Sequence, residues 1–134
     1  MKDLILKTSY VLHVFIDIIP FIYLLFVSKK YDIFIVTLVT IQCLHWIALK
    51  NECIISYMDK VILNENYKLG DNISYIPHED DMYYNKIFVI LLHVLQILVF
   101  LIILYRNKND LLISSLSTFN IVVMIQLIYF RYFV

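Results

Sequence analysis

The chain reads as all-α, an integral membrane four-helix bundle made of two helical hairpins, and three observations predict it. Of its 134 residues, 62% are hydrophobic and the mean hydropathy is +0.81. A water-facing domain of this size needs a larger polar fraction to cover its surface. The apolar residues also gather into four blocks, each close to the roughly 20 residues a helix needs to cross the hydrocarbon core. Finally, a helix is the only open-ended element that satisfies its own backbone in lipid. The whole chain, 1–134, is therefore expected to form a single transmembrane domain.

The first block covers 10–27 (YVLHVFIDIIPFIYLLFV). It is not expected to be a cleaved leader, because Asp17 interrupts it and SKKYD follows where small residues would be needed. Pro20 predicts a kink just beyond Asp17. The second block covers 33–49 (IFIVTLVTIQCLHWIAL), the third 87–105 (IFVILLHVLQILVFLIILY) and the fourth 111–130. The short links SKKYD and RNKND make the paired spans antiparallel neighbours. Between the hairpins lies a long polar loop, 50–86. Its beginning, NECIISYMDKVILNENY, predicts an amphipathic interfacial helix with Ile54, Ile55, Met58, Ile62 and Leu63 on its apolar side. Tyrosines and Trp46 cluster near span ends, as in an interfacial aromatic belt.

Four spans place the N-terminus, the long loop and the C-terminus on one side. Seven basic residues (Lys2, Lys7, Lys50, Lys60, Lys68, Lys86, Arg131) fall on that side and four (Lys29, Lys30, Arg106, Lys108) on the other, which favours a cytoplasmic N-terminus. Against this, the four lie in tight loops beside the spans, and Asn72-Ile73-Ser74 is a glycosylation sequon that would matter only in a lumen. The bilayer is the expected partner. Net charge is zero, so no basic surplus suggests nucleic acid. Cys43 and Cys53, ten residues apart, would be separated by roughly 15 Å on one helix and are expected to be unbridged thiols.

Ionisable groups within spans cost about 2.5–3.5 kcal/mol on insertion scales, so their positions carry the most information. His13 and Asp17 share a face of the first span, one turn from Ser9. Gln42 and His45 are three apart on the second span, with Glu52 continuing their stripe. His93 and Gln96 repeat that spacing on the third, and Ser117 and Asn120 on the fourth. His13, His45 and His93 lie about 5–10 Å inside the membrane from the long-loop side, with Asp17 and Gln42 one turn deeper. Convergent faces would make a polar chamber, with His78, Glu79, Asp80 and Asp81 over its mouth.

Two structural meanings follow. The polar residues can be interhelical glue worth about 0.6 kcal/mol each. Alternatively His13, Asp17, His45 and His93 bind a divalent transition metal or a small polar ligand, with Gln42, Glu52, Gln96 and Asn120 in support. A proton relay through His13 and Asp17 is a related reading. Haem is disfavoured, since the spans hold one alanine and no glycine to let a porphyrin lie flat.

The order of residues in HWIALKNECIISYMDKVILNENYKLGDN, 45–72, is similar to that in small multi-span membrane proteins of large DNA viruses. It also distantly resembles the DUF2784 family, in which a tryptophan precedes Cys-Pro-Leu-Thr, an acidic residue and a Tyr–Gly pair. Here Ile-Ile-Ser follows Cys53 instead. The resemblance covers about a fifth of the chain and implies no activity. It does imply that His45, Trp46, Glu52, Cys53, Tyr67 and Gly70 form a signature. Three function classes stay open: a protein with a buried ligand site, a membrane enzyme acting on a lipid or lipid-borne group, and a structural or pore-forming homo-oligomer.

Overall fold

The computed structural model describes residues 1–73 and 86–134. Among the described residues there are five α-helices and no strand: α1 (Lys2–Phe26), α2 (Asp32–Ala48), α3 (Ile54–Leu63), α4 (Lys86–Arg106) and α5 (Leu111–Tyr132). α1, α2, α4 and α5 are long and apolar enough to cross a membrane, so the fold is the expected all-α bundle with a short fifth helix in the long connection. His78, Glu79, Asp80, Asp81 and the serine of the sequon lie outside the described residues.

The helix ends follow local chemistry. Asp110 caps α5, its carboxylate accepting from the Ile113 N–H at 3.0 Å, which satisfies one of the donors a helix start leaves free. α2 ends in a Schellman turn. The Asn51 N–H reaches back to the Trp46 carbonyl at 2.7 Å, with Lys50 and Asn51 both at positive φ, the conformation such a cap requires. The link between α1 and α2 tightens into a 3-10 turn at Lys29–Tyr31.

The core belongs mainly to α2, α4 and α5. Val36, Val39 and Cys43 meet Phe100 and Ile103 of α4 and Val123, Met124 and Leu127 of α5. α1 stands at the edge: in its most apolar stretch only 11% of residues are buried, against 28–33% in the other three spans. Although consecutive in sequence, α1 and α2 are not close partners along their length. α1 packs on α3 and α4, while α2 packs on α5. The first hairpin is thus splayed, and the second is closed. α1 also begins eight residues before the expected span, because Leu6 and Ser9 are buried and extend the helix as a packing surface.

Polar ties at three levels help hold the helices. At the short-turn end, the buried Asp32 carboxylate accepts from the Tyr23 hydroxyl at 2.6 Å, from Arg106 Nε at 2.7 Å and from the Asn107 amide. α1, α2 and α4 are thereby fastened together. In mid-span, Thr40 donates to Asn120 at 2.9 Å and Asn120 donates to the Val36 carbonyl at 3.1 Å. Asn120 is thus α2–α5 glue rather than support for a chamber. At the long-loop end, Ser9 of α1 donates to Asp59 of α3 at 2.6 Å.

The Asn120 tie sets a modest expectation. Asn120→Leu should destabilise the bundle by about 1 kcal/mol, within the range for intramembrane hydrogen bonds. Thr40 keeps its bond to the Val36 carbonyl at 2.8 Å, so no buried hydroxyl is orphaned. Unfolding in mixed micelles measures this, and a loss several times larger would mean that Asn120 organises more than one helix pair.

Candidate functional site

α3 has the predicted amphipathic pattern, but its polar face turns inward. Ser56, Asp59 and Lys60 are buried, whereas Ile54, Met58 and Leu63 are exposed. This inversion suits a helix lying beside spans in an apolar surrounding, where polar groups seek one another and apolar ones face outward.

Behind α3, the connection ties itself into a knot centred on Glu52. Glu52 and Lys60 are fully buried and ion-paired. The Tyr67 hydroxyl donates to Glu52 at 2.6 Å and the Gly70 N–H donates to its other oxygen at 2.9 Å. Lys60 also donates to the Asn72 carbonyl at 2.7 Å and lies 5.1 Å from the centre of the Tyr67 ring. Gly70 has φ +87°, a conformation that favours glycine, and a Cβ there would lie 3.0 Å from the flexible Lys50 side chain. Glu52 is therefore not part of a chamber stripe. Lys60 is not a solvent-facing topology charge either.

Burial by itself would raise the Glu52 carboxyl, but the Lys60 ammonium, the Tyr67 hydroxyl and the Gly70 N–H hold it below its usual range. A depressed carboxyl contributes stability above its unfolded value, and that contribution vanishes as pH falls through the folded value. The knot should thus be intact at about pH 6 and loosen below about pH 4, the ordinary glutamate range. Hydrogen exchange over 64–73 at both pH values measures this; equal protection would show that the carboxylate does not carry the knot.

The predicted chamber forms in part. His13, Asp17, Gln42 and His93 line one cavity of about 40 Å³, together with Trp46, Cys53, Ser56, Val89 and Arg131. That is room for a few waters or one small polar group. His93 is buried, and its Nδ1 lies 2.8 Å from the Val89 carbonyl. That bond assigns the ring proton to Nδ1. The ring also packs against Trp46, centroids 6.3 Å apart. Gln96 is buried and donates to the Asp17 backbone carbonyl at 3.1 Å, bridging α4 to α1 one turn before Pro20.

His45 departs from its expected place. Its Nε2 accepts from the Ile54 N–H at 3.2 Å, satisfying a free donor of α3, and it borders a neighbouring groove rather than the cavity. Among the described residues, no three His, Cys, Asp or Glu side chains form a set that could hold a metal ion. The four-residue ligand set is not assembled, because the Schellman turn that ends α2 carries the chain back over His45 and occupies its ring.

Two residues passed over in the sequence take important places. Arg131, read as a boundary charge, brings a guanidinium to the cavity from the last turn of α5, and its Nε donates to the Ile73 carbonyl at 3.2 Å. Cys53 lies 3.2 Å from His13 Nε2, just ahead of the first residue of α3. The break between the two helical patterns at NEC was the available signal for Cys53, since a residue at such a break faces a helix N-terminus. Nothing local marks Arg131, whose place depends on how α5 packs.

Beside the cavity runs the apolar groove, about 430 Å³, in the gap between the splayed α1 and α2. Ile16, Ile19 and Pro20 form one wall, Ile35, Leu38, Val39 and Ile41 the other, and Ile54 and Ile55 of α3 close the long-loop end. Gln42 and Cys53 belong to both the groove and the polar cavity. No protein-family model, curated protein or solved structure matches the chain.

Proposed function

We propose that the protein is a multi-pass membrane protein that binds an amphiphile, its chain in the groove between α1 and α2 and its polar group in the adjoining cavity. The observation that carries this reading is the shared wall. Gln42 and Cys53 join an apolar space to a polar one, so one ligand with an apolar tail and a polar end fits both. The groove volume falls in the range of about 300–1,000 Å³ usual for ligand sites. Its depth is that of the hydrocarbon core, where lipid is the abundant candidate. Asp17, His93 and Arg131 supply donors and acceptors for a small polar group such as an ester, hydroxyl or carboxyl.

On this reading the N-terminus, long connection and C-terminus face the cytoplasm. The basic excess on that side persists after Lys60 is set aside as buried. The resemblance to viral multi-span proteins fits a shared framework in which Glu52, Tyr67 and Gly70 knot the connection and His45 starts α3, rather than a shared set of metal ligands.

The test uses a phospholipid with a photoactivatable group in its acyl chain, reconstituted with the full protein in nanodiscs. Crosslinks should concentrate on Ile16, Leu38 and Ile41. Leu38→Trp, which fills the groove from a side chain already exposed to lipid, should remove most of them. Labelling spread evenly over all four spans, and indifferent to Leu38→Trp, would overturn the reading.

A further inference from the structure

Cys53 and His13 together have a geometry that simple binding does not use. The sulfur lies 3.2 Å from His13 Nε2, and it stands at the start of α3, where the backbone N–H groups of Ser56 and Ile55 favour its charged form. It borders the apolar groove on one side and the polar cavity on the other. Burial raises the thiol above its ordinary value despite those N–H groups, so the resting group is S–H and a base must remove its proton. A histidine nitrogen within hydrogen-bond reach is the usual base for such a nucleophile. Cys43 offers the contrast of a cysteine fully buried in the α2–α4–α5 core.

We propose that Cys53 is a nucleophile that takes an acyl group from an ester-linked phospholipid, with His13 as its base and the α1–α2 groove holding the chain. This rests on the amphiphile reading above. His13 Nε2 accepts the thiol proton as the sulfur attacks the ester carbonyl carbon. The S–C bond forms, the C–O bond to the glycerol oxygen breaks, and that oxygen leaves as an alcohol carrying the proton from His13. The products are a thioester on Cys53 and a lysophospholipid, with no oxidant or reductant consumed. Water attacking the thioester then releases a fatty acid and restores the thiol, more slowly than the thioester forms, so that the acyl adduct accumulates.

The N-terminal end of α3, which begins directly after Cys53, favours negative charge as it develops on the sulfur. The adjoining cavity, lined also by Arg131 and Gln42, has room for the ester group itself and not for the headgroup, which stays outside it. A purely structural His13–Cys53 contact between α1 and the start of α3 would need neither the groove nor a free thiol.

The experiment incubates the full protein in nanodiscs of phosphatidylcholine bearing an alkyne-tagged acyl chain and reads intact mass and peptide mass. The expected result is a single hydroxylamine-labile acyl adduct on Cys53, absent from Cys53→Ser and retained in Cys43→Ala. His13→Gln should slow adduct formation about a hundredfold, the usual size of a lost general base. Retained detergent unfolding profiles for Cys53→Ser and His13→Gln exclude misfolding, and should either fail, the wild-type adduct site and its lability still decide. No adduct, with photolipid crosslinks in the groove intact, would overturn acyl transfer and leave lipid binding standing. Loss of the crosslinks too would remove both. An adduct shared with Cys43, or stable to hydroxylamine, would also overturn the proposal.

Discussion

Lys60→Met is expected to destabilise the folded protein by about 3–5 kcal/mol, the cost of leaving a buried carboxylate without its cation. Glu52 is fully buried, and without Lys60 its partners among the described residues are the Tyr67 hydroxyl and the Gly70 N–H. Two neutral donors do not replace an ammonium in a low-dielectric site. The Asn72 carbonyl loses its Lys60 donor as well. Glu52→Gln should also destabilise, since its single amide oxygen can accept from Tyr67 or from Gly70 but not from both as the two carboxylate oxygens do, and Lys60 is then the unpaired charge. The informative variant is the double one. Lys60→Met with Glu52→Leu removes both charges, and a buried pair replaced by apolar groups is often near neutral. The double variant should therefore recover more than half of the loss. Unfolding of Lys60→Met, Glu52→Leu and the double variant in mixed micelles gives the coupling directly, and simple additivity would show that the two charges do not act as a pair.

Arg106→Gln should cost about 2–3 kcal/mol and loosen the short-turn end. The Arg106 side chain is 24% exposed while Asp32 is fully buried, so the penalty falls on the carboxylate left behind rather than on lost guanidinium contacts. Tyr23 and Asn107 still donate to Asp32, which keeps the loss below that for Lys60. The consequence reaches beyond stability. Asp32 joins α1 through Tyr23 to α2 and α4, and this is a main tie of α1 at that end, because α1 and α2 diverge along the groove. Tyr23→Phe, which removes the bond from α1 to Asp32 itself, should therefore widen the groove and raise photolipid labelling of Ile16 and Leu38. A stability loss with unchanged labelling would mean that the tie does not set the width. Asp32→Asn combined with Arg106→Gln should restore most of the stability, since neither charge is then stranded.

The two ties also show where sequence reasoning stopped. Lys60 and Glu52 are eight residues apart in a segment readable as an amphipathic helix, and the ordinary expectation puts such charges in water. Their pairing needs the Schellman turn at Lys50 and Asn51, which reverses the chain, and the return of Tyr67 and Gly70 over it. The turn itself had no glycine to announce it. Asp32 and Arg106 each mark a span end, and nothing in either local pattern indicates that the ends adjoin. Counting residues from the span boundaries puts the three histidines at one expected level. Depth alone did not give facing: His13 and His93 reach the cavity, whereas His45, at the same expected level, turns to the start of α3.

By itself the sequence determined the elements whose cause is local. Apolar run length set four helices long and apolar enough to cross a membrane, the 3.6-residue pattern of Ile54, Ile55, Met58, Ile62 and Leu63 marked the short helix, and the cost of polar groups in hydrocarbon singled out His13, Asp17, His45 and His93, with Gln42, Glu52, Gln96 and Asn120 beside them. Only the tertiary structure decided which helices touch and which way each face points. In lipid an apolar face is satisfied by a neighbouring helix or by an acyl chain almost equally, so hydropathy does not choose between them. The choice rests on a few polar contacts: Asp32 with Arg106, Asn120 with Thr40, Ser9 with Asp59, and Glu52 with Lys60. Those contacts turn the polar side of α3 inward, part α1 from α2, and bring Cys53 beside His13 at the end of the groove.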